Sequence, residues 1–179
     1  MVYRDRMSNV SRGFPPIAAP DARALILGSL PGQASLAAGQ YYAQPQNAFW
    51  RIMGELFAAG PAVPYATRTQ RLIEHRVALW DVCKAAHRRG SLDAAIDLSS
   101  VVVNDFACFF REHRAIVAVF TNGGTATRFY QRLVRPRLGA VASALPVHPL
   151  PSTSPAHAAM GFEQKLERWR AITAALQLP

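Results

Sequence analysis

The sequence predicts an α/β fold built on a parallel sheet with helices on both faces. Three observations carry this. Short apolar runs of strand length, ALILG from Ala24, VALWDVC from Val77 and AIVAVF from Ala115, show no polar alternation, the pattern of strands buried on both sides. Stretches with helical spacing separate these runs, as crossover connections between parallel strands require. Finally, 179 residues with 50% hydrophobic and 17% charged content supply one domain with a substantial core and lie far from the composition of disordered chains.

Residues 1 to 22 mix charge with Pro15, Pro16 and Pro20 and read as an N-terminal arm, leaving 23 to 179 as the domain. ALILGSLPG (Ala24 to Gly32) is a buried strand ended by Gly and Pro. After a long loop, Asn47 is a plausible N-cap for a helix whose Phe49, Trp50, Met53, Leu56 and Phe57 share one face, with Gly60 beyond its end. Thr67 is a candidate cap for a second helix through His75. Val77 to Cys83 and Ala115 to Phe120 form the next two strands, followed by helices at about Asp105 to His113 and Thr125 to Val134. A fourth run, Ala144 to Leu150, is broken by prolines, and Gly161 to Leu176 returns to helical spacing through Phe162, Leu166, Trp169 and Ile172. No internal repeat and no low-complexity tract is present.

Composition narrows the function classes. Cys83 and Cys108 are the two cysteines, too few for a disulfide framework, a four-cysteine zinc site or a cysteine-held iron–sulfur cluster. Twenty Lys and Arg against 11 acids give a net charge of +9, which makes an acidic partner such as DNA a first expectation. The excess of arginine over lysine equally fits genome base composition. The N-terminus has no apolar core of a signal peptide, and no apolar run approaches eighteen residues, so a cytoplasmic location without a membrane partner is expected.

In doubly wound sheets, ligands sit outside the carboxyl ends of the strands. Four segments leave those ends: GSLPG extending to QNAFW, WDVCKAAHRRGS, TNGGTATR and HPLPSTSPAH. Each has a purely structural reading. The glycines can serve tight turns, Asn47 a helix cap, Tyr42 the core, and His148 and His157 ordinary loops. PSTSPAH reads as a Ser/Thr-rich turn opening the last helix, whose free N–H groups make a natural anion site. GSLPG matches neither the P-loop nor the GxGxxG fingerprint.

Taken together, Ser29-Leu30-Pro31-Gly32, then Gln40 to Trp50 (QYYAQPQNAFW), Leu79-Trp80-Asp81-Val82, and Leu150 to His157 (LPSTSPAH) resemble the uracil-DNA glycosylase superfamily. Within it the likeness is to the hypoxanthine (deoxyinosine) DNA glycosylases, from about Ala24 to the C-terminus. The resemblance implies a three-layer α/β/α sandwich with a central four-stranded parallel sheet. It also implies removal of a deaminated base from DNA by a monomer without metal or cofactor.

Leu30 stands where other branches of the superfamily place a water-directing Asp or Asn. Leucine cannot orient water, and the resemblance moves that duty to Asn47. Ser29 and His157 complete the catalytic candidates. Tyr42 matches the aromatic position on which the extruded base stacks, with Asp81, Leu30, Pro31 and Gly32 as further base-binding residues. Ser152, Thr153 and Ser154 of the second motif and Arg128 are the DNA-binding candidates. That motif departs from the usual pattern, with Leu150 in place of a His or Asn and Ser154 in place of an apolar wedge. Asp81 reads either as a base-edge acceptor or as a partner of Arg88, and Arg128, Arg132, Arg135 and Arg137 as either a phosphate track or a solvated face. The other readings are a uracil-DNA or G/U mismatch glycosylase of the same fold, a serine hydrolase of Ser152, a histidine and Asp81, without a GxSxG elbow, and a non-catalytic nucleic-acid binder.

Overall fold

The computed structural model describes residues 10 to 177; the first nine residues of the proposed arm lie outside the described residues. Four strands, β2 (Ala24–Gly28), β3 (Val77–Asp81), β6 (Ala118–Asn122) and β7 (Val147–Leu150), form a parallel sheet in the order β3-β2-β6-β7. The absent alternation has a direct cause. In β2, Ala24 and Ile26 face one core while Leu25 and Leu27 face the other, and β3 divides Val77 and Leu79 from Ala78 and Trp80 in the same way.

Helices α2 (Phe49–Phe57), α3 (Tyr65–Glu74), α7 (Phe162–Trp169) and α8 (Ala171–Leu176) cover the first face, with Phe49, Trp50, Met53, Leu72, Trp169 and Ile172 in its core. Helices α4 (Phe106–Glu112) and α5 (Gly124–Phe129), the latter running into a π-turn over Tyr130–Val134, cover the second with Phe106, Phe109, Phe129 and Tyr130. The result is the three-layer sandwich expected. The order in which strands are added reverses between β2 and β6, from β3 on one side to β6 and β7 on the other, the switch point at which such folds bind ligands.

Several local readings are corrected. Short helices α1 (Gln33–Ala38) and α6 (Ala140–Ser143) were not predicted. α3 starts at Tyr65 behind Pro64, so Thr67 lies inside it rather than capping it. The second predicted strand is two: β3 ends at Asp81 and β4 (Cys83–His87) leaves for a separate antiparallel sheet with β1 (Val10–Arg12) and β5 (Val102–Val103). From β1 onward the N-terminal segment is fastened to the domain, with Ile17 and Leu79 exchanging backbone bonds and Trp80 Nε1 donating to the Phe14 carbonyl. The PSTSPAH turn does not open the last helices: α7 begins at Phe162, its cap Gly161 donating to Gln164 Oε1. Asp105 does cap α4, accepting from Cys108 N.

Candidate active site

The pairing register aligns the strand ends: Gly28 lies beside Asp81, and Asn122 beside Leu150. Each strand therefore delivers a functional segment to one edge. Gly28 shows why that edge is tight. A Cβ there would overlap the Asp81 carboxylate and come within 2.8 Å of the Tyr42 hydroxyl, so both groups sit directly over its Cα.

Asp81 is only 4% exposed, and its Oδ2 is buried without a hydrogen-bond partner. A charge in that state is costly, and burial, aided by the neighbouring Asp93, pushes its pKa up to about 7 against the partial opposition of Arg88. The alternative partner Arg88 is committed elsewhere. Its guanidinium, also buried, donates to the carbonyls of Leu30 (3.2 Å) and Pro31 and pairs with Asp93 at 3.9 Å. Asp93 in turn accepts the Ser29 hydroxyl on both oxygens, at 2.7 and 2.8 Å. The glycine-containing loop after β2 is thus clamped to the loop after β4 by a serine–carboxylate–guanidinium chain. Burial raises the Asp93 pKa, while the Ser29 bond, Arg88 and Arg128 hold it back.

Tyr42 is in the left-handed region at φ 53°, a strained conformation for an aromatic residue of the kind that collects at functional sites. One ring face stacks on Phe49 at 4.0 Å, and its hydroxyl accepts from Asn122 Nδ2 at 3.0 Å. The adjacent Tyr41 is the core aromatic, its hydroxyl donating to the Pro15 carbonyl and its carbonyl accepting from Trp50 Nε1. Asn47 Oδ1 accepts from Phe49 N at 3.0 Å, which fixes the amide and leaves the second oxygen lone pair and the Nδ2 group open. The N-cap of α2 is Ala48 rather than the expected Asn47, and Asn47 fastens the start of the helix from one position outside it.

The second motif is anchored by Asn122, which the sequence reading missed. Its Oδ1 accepts from Thr153 N and its Nδ2 donates to Thr153 Oγ1, both at 2.9 Å, while the Thr153 carbonyl accepts from Ala48 N. Thr153, expected to touch DNA, is 1% exposed and serves instead as an internal fastener. Ser152 packs on Gly123, whose φ of 89° and whose missing Cβ, 2.9 Å from Ser152 Cβ, both require glycine. Ser152 Oγ accepts from Ser154 N and Ser154 Oγ from Ala156 N. His157 is exposed, its carbonyl held by Lys165 Nζ at 2.9 Å. Leu30 is buried in the second core, Pro31 is buried beside it, and Gly32 precedes α1 as its N-cap. Asp93 is the other residue that sequence reasoning missed. A polar residue closing an apolar strand, as Asn122 does in FTN, is a signal available in the sequence; Asp93, 64 positions from Ser29, offers none.

Among the described residues no cluster of three metal-ligating side chains occurs, and no helix is long and apolar enough to cross a membrane.

The family model of the uracil DNA glycosylase superfamily matches residues 15–173. Two curated proteins named hypoxanthine DNA glycosylase are similar. That of Methanosarcina barkeri is 41% identical over 86 residues, 48% of this chain and 54% of the relative. That of Methanosarcina acetivorans is 38% identical over 99 residues, 55% of this chain and 61% of the relative. The matched stretch thus spans between half and two thirds of these relatives' length. A solution NMR structure from Methanosarcina acetivorans, put forward as a uracil DNA glycosylase, superposes with a TM-score of 0.77 at 30% identity, covering 94% of this chain and 99% of that one.

Proposed function

This chain belongs to the uracil DNA glycosylase superfamily, and on that premise we propose that it is a DNA repair glycosylase that extrudes a deaminated base, hypoxanthine before others, and hydrolyses its N-glycosidic bond. The observation that carries the reading is the group over Gly28: a buried, unpartnered carboxylate oxygen of Asp81 beside the half-buried Tyr42 ring. An enzyme acting on a base within DNA needs a pocket for the flipped base, an aromatic platform and a grip on the backbone. Asp81 and Tyr42 supply the first two.

In the reaction the bond from C1′ to the base nitrogen breaks and its electron pair leaves with the base. Water adds to C1′, losing a proton, and an abasic site remains. Asn47, its amide fixed through Phe49 N, orients that water. Backbone N–H groups of Leu30 and Gly32 face the negative charge developing on the base, in the manner of an oxyanion hole; Pro31 has none to give. The Arg88–Asp93–Ser29 chain holds this loop rigid, and the half-buried Ser152 and Ser154 of the second motif lie against the phosphates.

Incubating the protein with a labelled oligonucleotide carrying one deoxyinosine, then treating with alkali, is the direct test. Strand scission is expected; retardation without scission would identify a binder instead. The hydrolase reading has little geometric support, since Ser152 Oγ accepts from Ser154 N and no hydrogen bond joins Ser152 to a histidine among the described residues.

Tyr42 gives a graded prediction. Base–aromatic stacking is worth about 1 to 3 kcal/mol, so Tyr42→Ala should slow single-turnover cleavage about 5- to 150-fold. Tyr42→Phe keeps the ring but loses the Asn122 bond, which costs about 1 kcal/mol of stability rather than rate. A Phe variant as slow as the Ala variant would mean that the hydroxyl, not the ring face, is what matters.

A further inference from the structure

The arginines adjacent in sequence are not adjacent in function. Arg135 turns inward, donating to the Ser143 carbonyl and to Gln131 Oε1. Arg128 and Arg132 instead line, with Arg168 of α7 from the opposite helical layer, a cleft of about 620 Å³ bordered by Gly123 and Pro151. Among the described residues no carboxylate pairs with any of these three side chains, whereas Arg76, Arg88 and Arg170 each have an acidic partner. Three exposed guanidiniums from two layers line one cleft without a carboxylate paired to them, an arrangement that favours an anion.

We propose that this cleft binds one backbone phosphate of the DNA strand that carries the flipped nucleotide, at or next to that nucleotide. The inference rests on the glycosylase reading and deepens it. The position follows from the sheet. The cleft opens at the ends of β6 and β7, whereas Asp81 ends β3, two and three strands away across β2. At about 4.8 Å per strand the cleft lies roughly 10 to 14 Å from the base pocket, at or just beyond the reach of a purine nucleotide from its N1 edge to its own phosphate. Continuity with the pocket is direct, because Gly123 follows Asn122, which holds Tyr42, and the charge of Arg128 reaches Asp93. Guanidinium forks suit a phosphodiester better than ammonium groups do.

The test compares Arg132→Gln/Arg168→Gln with Arg137→Gln, an exposed arginine outside the cleft, after confirming equal thermal melting. Binding to undamaged and deoxyinosine duplexes is measured across 50 to 200 mM salt. Losing one phosphate contact lowers the log–log slope by about 0.9, so the double variant should lose about 3.5-fold less affinity over this range than wild type, while Arg137→Gln keeps the wild-type slope. An unchanged slope in the double variant, or an equal change in Arg137→Gln, overturns the proposal. So does saturable binding of inorganic phosphate that the double variant abolishes without altering the DNA slope, which would mark a free-anion site. Scission by the wild type accompanied by any of these results removes this inference alone; a changed slope with no scission of any lesion removes the glycosylase reading.

Discussion

Asn47→Ala is expected to lose at least about 10²-fold in single-turnover cleavage of a deoxyinosine oligonucleotide while still binding it, because misplacing a nucleophile commonly costs that much or more. The expected loss is large because Leu30 leaves the usual water-directing position apolar, so no side chain there can substitute. The structure also shows how to separate catalysis from folding. Asn47 Oδ1 accepts from Phe49 N at the start of α2, and removing such a bond costs about 1 kcal/mol. Asn47→Ser restores an acceptor oxygen on a shorter side chain that cannot reach as far. It should therefore melt close to wild type yet cleave nearly as slowly as the Ala variant. Wild-type rates in a folded Asn47→Ser protein would reduce this residue to a fastener of the helix start.

What was legible in the sequence follows from which physical signals are local. Two-sided burial writes itself into unbroken apolar runs, so the existence and starts of β2 and β3 are read from ALILG and VALWDVC, although the second run continues past Asp81 into β4. The small sheet is invisible for the opposite reason: β1 has three residues and β5 two, and CKAAH alternates too weakly to declare a strand. Within the site, Tyr42 and Asn47 are legible because both lie in one contiguous segment, QYYAQPQNAFW, that carries the family resemblance. The Ser29–Asp93–Arg88 chain is not, since it joins residues brought together only by tertiary structure. Sequence proximity misleads as well. It suggested Arg88 for Asp81, and the structure gives Arg88 to Asp93 and to the loop carbonyls, leaving Asp81 with a buried oxygen that has no hydrogen-bond partner.

The second large effect concerns that oxygen. An ionised carboxylate only accepts hydrogen bonds, and hypoxanthine offers N1–H beside O6, whereas adenine offers a bare N1 that would oppose it. A site built to pair with one edge rejects the analogue lacking it by about 10⁴ or more, so Asp81→Ala should abolish most of the preference for deoxyinosine over deoxyadenosine. Uracil presents the same donor at N3, so activity on deoxyuridine should fall in parallel. Acidity supplies an independent check. With burial and Asp93 pushing the Asp81 pKa up to about 7, the carboxyl is protonated below neutrality and becomes a donor, so kcat/KM on deoxyinosine should rise with pH through about 7. In Asp81→Asn that rise should vanish. The stability consequence has the opposite sign. A carboxyl whose pKa is raised on folding, from 3.8 to about 7, contributes stability that is full below pH 3.8 and lost as pH climbs through 7, a loss of about 4 kcal/mol. Asp81→Asn escapes that loss, so by urea unfolding it should match wild type near pH 4 and exceed it at pH 8. A variant that gains no stability at pH 8 and keeps the wild-type order of substrates would show that Asp81 is neither strained by its burial nor the reader of the base.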